Sequence, residues 1–250
     1  MADISTTPTP TKAIPLPATA PAVQSGVPGL VTPRSAESAA SSSLPLASSY
    51  GCPGQWLRDQ YDAHVRRLGI AGTDRDAAPR DIRHLLSAAA AEESVATVLA
   101  SLGQEYTVWH NVATDVAHPD RKLDHVVLGP TGLYALRSDD WGASVRLTKG
   151  ELRGNGLGRG EKPIRSLSRR ARIFARDTGI RFSALMMVVP DDAVTAPMTV
   201  VRRGRLCPTL LVRRSWLPEV VRSKMSGMAI TTPEALDNAR NQLQESVRFV

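Results

Sequence analysis

The alternation of apolar and polar positions divides the chain into recognisable elements from residue 55 onward. In QWLRDQYDAHVRRL, residues 55–68, Trp56, Tyr61, Val65 and Leu68 recur at helical intervals and predict a short amphipathic helix. A longer helix is predicted from about Pro79 to Leu102. Proline opens it, alanines fill its middle, Ile82, Leu85, Leu86, Val95, Val98 and Leu99 supply apolar positions, and Gly103 ends it. Three segments rich in strand formers follow: YTVWHNV (106–112), LDHVVLG (123–129) and GLYALRS (132–138). Gly-Pro-Thr-Gly between the last two predicts a hairpin turn. A smaller hairpin is expected around Lys149-Gly150, where Val145 and Leu147 alternate with Arg146 and Thr148. In EKPIRSLSRRARIFARDTG (161–179), Ile164, Leu167, Ala171 and Phe174 form one helical stripe and Lys162, Arg165, Arg169, Arg172 and Arg176 another. A buried strand (182–190), strand candidates in TVVRRG and LCPTLLVRR, and helices near 216–224 and 233–248 complete a mixed α/β order without internal repeats.

The first 54 residues break this pattern. They hold nine of the 18 prolines, many Ser, Thr and Ala, and only Asp3, Lys12, Arg34 and Glu37 as charges, so residues 1–54 are predicted to be a disordered tail. Residues 55–78 are expected to be a short helix and linker, and residues 79–250 a single α/β domain with C-terminal helices. The start lacks the basic and apolar regions of a signal peptide, and no run approaches the length of a membrane span, so a soluble, cytoplasmic protein with no membrane partner is expected. Cys52 and Cys207 are predicted to be free thiols, with no disulfide framework or zinc site.

The net charge of +7 lies wholly outside the tail, which balances two basic against two acidic residues. It is also local: residues 146–181 hold 11 Lys or Arg against Glu151, Glu161 and Asp177. Such a patch suits a polyanion, nucleic acid above all, although a merely solvated basic surface has the same composition. The run GNGLGRG (154–160) contains a GxGxxG, but without a βαβ context it is read as a loop.

Ala-Glu-Glu-Ser-Val (91–95) on a helix, then LDHVVLGPTGLYAL and a Trp-Gly, then a Pro-containing basic helix and an apolar strand, resemble the nuclease-related domain (NERD) of the PD-(D/E)XK phosphodiesterases over roughly residues 84–200. The resemblance implies a restriction-endonuclease-like mixed sheet flanked by helices. It also implies a site in which a helix Glu, a strand Asp and a Glu-x-Lys on the next strand hold Mg²⁺ or Mn²⁺ and activate water. Glu92 and Asp124 match this pattern. Arg137 stands at the Glu position, Asp139 at the Lys position, and Ser166 where the family helix often has Gln.

Two readings follow from these departures. In one, no cofactor is expected, and Arg137 fills the metal's place by pairing with Asp124 or Glu92. In the other, Asp139 or Asp140 joins Asp124 and Glu92 around Mg²⁺ or Mn²⁺, with Arg137 or Lys122 as the cation; Asp124 is then the metal ligand. His110 and His125 are expected to pack rather than catalyse, Trp109 and Trp141 to sit in the core or its rim, and Cys207 to be no nucleophile. The expected function is nucleic-acid association, DNA foremost, through Lys162, Arg165, Arg169, Arg172 and Arg176 with Arg146 and Lys149 of the hairpin. An active metal-dependent nuclease and a protein-interaction scaffold are the alternatives.

Overall fold

The strands named from sequence assemble into one sheet in the structure, a computed structural model that describes residues 46–70, 78–158, 160–203, 207–223 and 232–250. All of these lie in one compact unit, Ser43–Val250. Most of the expected tail, part of the linker and the end of the expected helix 216–224 fall outside the described residues.

Strand β1 is Ser48–Tyr50, followed by helices α1 (Gln55–Leu68) and α2 (Arg80–Ala100). Strands β2 (Thr107–Ala113), β3 (Leu123–Gly129) and β4 (Gly132–Ser138) form an antiparallel meander, and β5 (Arg146–Thr148) with β6 (Glu151–Arg153) a separate hairpin. Then come α3 (Pro163–Thr178), β7 (Ala184–Val189), β8 (Met198–Arg203), β9 (Pro208–Arg213), α4 (Leu217–Arg222), α5 (Pro233–Ser246) and β10 (Arg248–Phe249). Sheet order is β1, β2, β3, β4, β7, β9, β8, with β10 sharing the outer edge of β2 with β1. The β4–β7 and β7–β9 pairs are parallel, so the sheet is mixed, as the sequence order requires.

Alternation along β2, β3 and β4 feeds two cores. Val108, Val127, Tyr134 and Leu136 pack with Val95 and Leu99 of α2 and Val220 and Val221 of α4. Trp109, Val126 and Ala135 pack on the opposite face with Leu167, Ala171 and Phe174 of α3 and Leu243 of α5. Strand residues i and i+1 thereby meet different helices, and the fold is a sheet between two helical layers.

Two expectations are corrected. The boundary at residue 54 moves back, because Ser48–Tyr50 runs parallel to Thr107–Trp109. The last helix stops at Ser246 and not near 248, because Arg248 and Phe249 pair with Ala113 and Val112. Strands of three and two residues have no periodicity to read; only the β2 edge they cover makes them strands.

Candidate nuclease-like site and cationic face

Glu92 lies midway along α2, Asp124 near the start of β3, and Lys122 two residues before Asp124, where strand parity aims both the same way. The Lys122 Nζ donates to Glu92 Oε1 at 2.7 Å, to Asn111 Oδ1 at 2.7 Å and to Asp124 Oδ1 at 3.2 Å. The second oxygen of each carboxylate is also taken: Glu92 Oε2 accepts from Gly54 N–H at 2.9 Å and Asp124 Oδ2 from Ser138 N–H at 3.0 Å. The Trp56 ring lies 5.3 Å from Lys122 Nζ, near enough for a cation–π contact. The cluster is closed, with Glu92, Lys122 and Asp124 only 1, 2 and 4 % exposed.

Asn111 is held at φ 51°, a left-handed conformation that Asn adopts more readily than most residues. It joins three parts of the chain. Its Oδ1 receives Lys122, its Nδ2 donates to the Cys52 carbonyl, and its own carbonyl accepts from Val250 N–H.

Burial, then the neighbouring Asp124 charge, raises the Glu92 carboxyl to a pKa of about 7 despite Lys122. For Asp124 burial works in the same direction, but Lys122, Arg137 and Arg170 outweigh it and hold the carboxyl below its usual range. Because Glu92 is raised in the folded state, its contribution to stability is complete below pH 4.5 and is lost as pH rises through about 7.

Arg137 does not make the pairing expected of it. It bonds Asp139 Oδ2 at 3.0 Å, its neighbour on the same side of the strand, and lies 3.7 Å from Glu161 Oε1. Asp139 Oδ1 is 3.3 Å from His84 Nε2 and also accepts from Asp140 N–H, and the hydrogen bond that His84 donates to Asp139 raises the His84 pKa. Asp140 turns to its own loop, accepting from Gly142 N–H at 2.8 Å. The structure therefore brings Glu92 and Asp124 together around Lys122 and places Arg137 and Asp139 in a second cluster. Sequence reading named Lys122 only as an optional cation and passed over Asn111, Gly54 and His84. The legible signals were a lysine two residues before the strand aspartate and a polar Asn inside an apolar strand.

These residues do not fit the divalent metal that a nuclease-like fold implies. An ammonium fills the space between the two matching carboxylates, a guanidinium replaces the third acid, and no open position remains for metal-bound water. Among the described residues no three His, Cys, Asp or Glu side chains are grouped to hold a metal ion.

His110 and His125 form a buried pair, Nδ1 to Nδ1 at 2.7 Å, that continues to Ser49 Oγ at 2.7 Å and Ser138 Oγ at 3.3 Å. Burial lowers the His110 pKa to about 4 and takes His125 well below 6.5. A depressed histidine stabilises the fold above 6.5 and loses that contribution as pH falls through about 4, the reverse of Glu92. Replacing His110 with Gln should therefore flatten the loss of stability between these values, read as melting temperature against pH for both proteins. A wild-type and variant difference that is constant with pH would refute the assignment.

Lys162 at the N-cap of α3 and Arg165, Arg169, Arg172 and Arg176 along it are all exposed. Among the described residues only Arg176 of these has an ion-pair partner, Asp177. Between the first turn of α3 and the β5–β6 hairpin lies a cleft of about 630 Å³ lined by Lys149, Arg153, Lys162, Arg165 and Ser168, with Glu151 the sole acid. Glu151 is already engaged, accepting from Ile164 N–H at 2.8 Å and Arg165 N–H at 3.1 Å. Arg146 is exposed on the same hairpin. Trp109 and Trp141 are buried in separate apolar clusters and present no free ring for base stacking. Cys52 and Cys207 are free thiols. Among the described residues no helix is long and apolar enough to cross a membrane.

Residues 87–188, from the middle of α2 to the end of β7, match the family model of the nuclease-related domain, and that segment contains Glu92, Lys122, Asp124, Arg137, Asp139 and all of α3. Comparison with curated proteins and with solved structures returns no match.

Proposed function

We propose that the nuclease-related domain at residues 87–188 holds nucleic acid by its phosphates and that metal-dependent hydrolysis has been lost from it. The observation that carries this reading is the row of exposed α3 cations continuing into the cleft with Lys149 and Arg153. Cations without carboxylate partners are free to displace the counterions of a phosphate backbone, and such contacts position a strand without reading its bases. DNA is the nucleic acid proposed. Loss of hydrolysis is supported by the donor set: every oxygen of the two carboxylates that would hold the metal already accepts a hydrogen bond, from the Lys122 ammonium or from the Gly54 or Ser138 N–H, and both side chains are buried.

The test is retention of labelled duplex and single-stranded DNA by the full chain across a salt series, with and without Mg²⁺, Mn²⁺ and EDTA. Binding should weaken steeply with salt. Replacing Lys162, Arg165, Arg169 and Arg172 with Ala should lower low-salt affinity by about tenfold or more and make the slope of log K against log salt shallower by roughly 0.9 for each lost duplex phosphate contact. No cutting should occur in wild type or in Asp124→Ala. Undetectable binding at low salt, or binding indifferent to the four substitutions, refutes the first half of the proposal; metal-dependent cutting that Asp124→Ala abolishes refutes the second.

A further inference from the structure

We propose that the Lys122 ammonium is a resident replacement for the fold's divalent cation, and that the same cluster fastens the Gly51–Trp56 segment over the site. Three oxygens converge on one point, from Glu92, Asp124 and Asn111, at 2.7, 3.2 and 2.7 Å from Nζ. Two are carboxylates and one is a neutral carbonyl, all hard donors, which is a coordination shell in chemical character. An ammonium has three protons and no acceptor, so these three oxygens use every donor it has.

That full use separates a structural from a catalytic lysine. A lysine that neutralises charge on a scissile phosphate must keep a donor for it. Lys122 has none left, and the Trp56 ring lies against it. The ammonium supplies the countercharge two buried carboxylates require and, unlike a metal, brings no exchangeable water and no Lewis acidity.

The strap follows from the remaining valences. Glu92 gives its second oxygen to Gly54 N–H, Asn111 gives its amide N–H to the Cys52 carbonyl, and Trp56 caps the lysine. Every residue that grips Lys122 from α2 or β2 also grips this segment. The inference stands apart from the cationic face and would survive if that face bound nothing.

The experiment is thermal melting of the full chain as wild type, Lys122→Ala and Lys122→Ala/Asp124→Asn, each in EDTA, Mg²⁺ and Mn²⁺, with hydrogen exchange at the Gly54 amide. Wild type should melt at one temperature in all three buffers, and its Gly54 amide should be protected without metal. Lys122→Ala opens a tethered set of three oxygens, so Mn²⁺ should raise its folded fraction or melting temperature by several degrees, and adding Asp124→Asn should abolish the gain. If Lys122→Ala is unfolded in EDTA, recovery of the fold in Mn²⁺ is the expected result. A Lys122→Ala protein that Mn²⁺ leaves unchanged, folded or not, overturns the proposal. So does a wild-type protein stabilised by Mn²⁺ through Asp124, which would make Lys122 a movable catalytic cation.

Discussion

Lys122→Met is expected to destabilise the domain by about 3–5 kcal/mol, the range for removing one partner of a buried ion pair. Met keeps much of the length and apolar bulk of the lysine stem, so the loss isolates the ammonium with its charge and its three donors. Asp124 and Glu92 would be left facing each other without water, as both are buried. Lys122 holds the Glu92 pKa down, so without it Glu92 takes up its proton above about 7, and the cost should fall as pH is lowered towards 7, because protonating Glu92 removes one of the two stranded charges. Adding Glu92→Gln and Asp124→Asn to Lys122→Met should recover most of the loss, since neutral groups of the same shape carry a much smaller desolvation penalty. Urea denaturation of the single and triple variants at two pH values checks both statements. A single variant within 1 kcal/mol of wild type, on the order of an exposed ion pair, would mean that the cluster is solvated.

The second large effect is expected at Gly51→Val. Gly51 sits at φ +84°, a region that β-branched residues avoid, and a Cβ there would meet the His110 carbonyl and, at 2.8 Å, the Phe249 ring. The β2 backbone at His110 cannot give way without unpairing the sheet edge, whereas the half-exposed Phe249 ring can turn aside. The substitution should cost roughly 2–3 kcal/mol and should release Ser48–Gly54 before the rest of the domain. Hydrogen exchange should show loss of protection at Gly54 with the β3, β4 and β7 amides unaffected. Uniform loss across all strands would mean that the strap is not a separable unit.

How much of this was legible depended on how locally each feature is encoded. The meander from Thr107 to Ser138 was readable because alternation and the Gly129–Gly132 turn are written within it. Helix α3 was readable because its two stripes are complete in one stretch of chain. The carboxylates of Glu92 and Asp124 could be placed by resemblance to a family pattern. Their cation could not, because Arg137 and Lys122 satisfy the same strand parity, and the choice depends on where α2 and the Cys52–Gly54 turn approach. In the structure Arg137 bonds Asp139 and Lys122 lies between the carboxylates. The β1 and β10 pairings were invisible for a related reason: their information lies in β2, 59 residues from one at Ser49–Val108 and far upstream of the other.

That separation in sequence has a kinetic meaning. The outer edge of β2 is covered from one end by a parallel strand that precedes it and from the other by an antiparallel strand near residue 250. Closing such long loops costs entropy before any contact repays it, so the meander should form early and its edge should be sealed late. Asn111, between the two short strands, is where the closures meet, holding Cys52 from one and Val250 from the other. Until that residue is engaged from both sides, β2 is an open edge able to pair with another chain. The window for misassembly in this domain is therefore set by how quickly its first and last strands arrive at one asparagine.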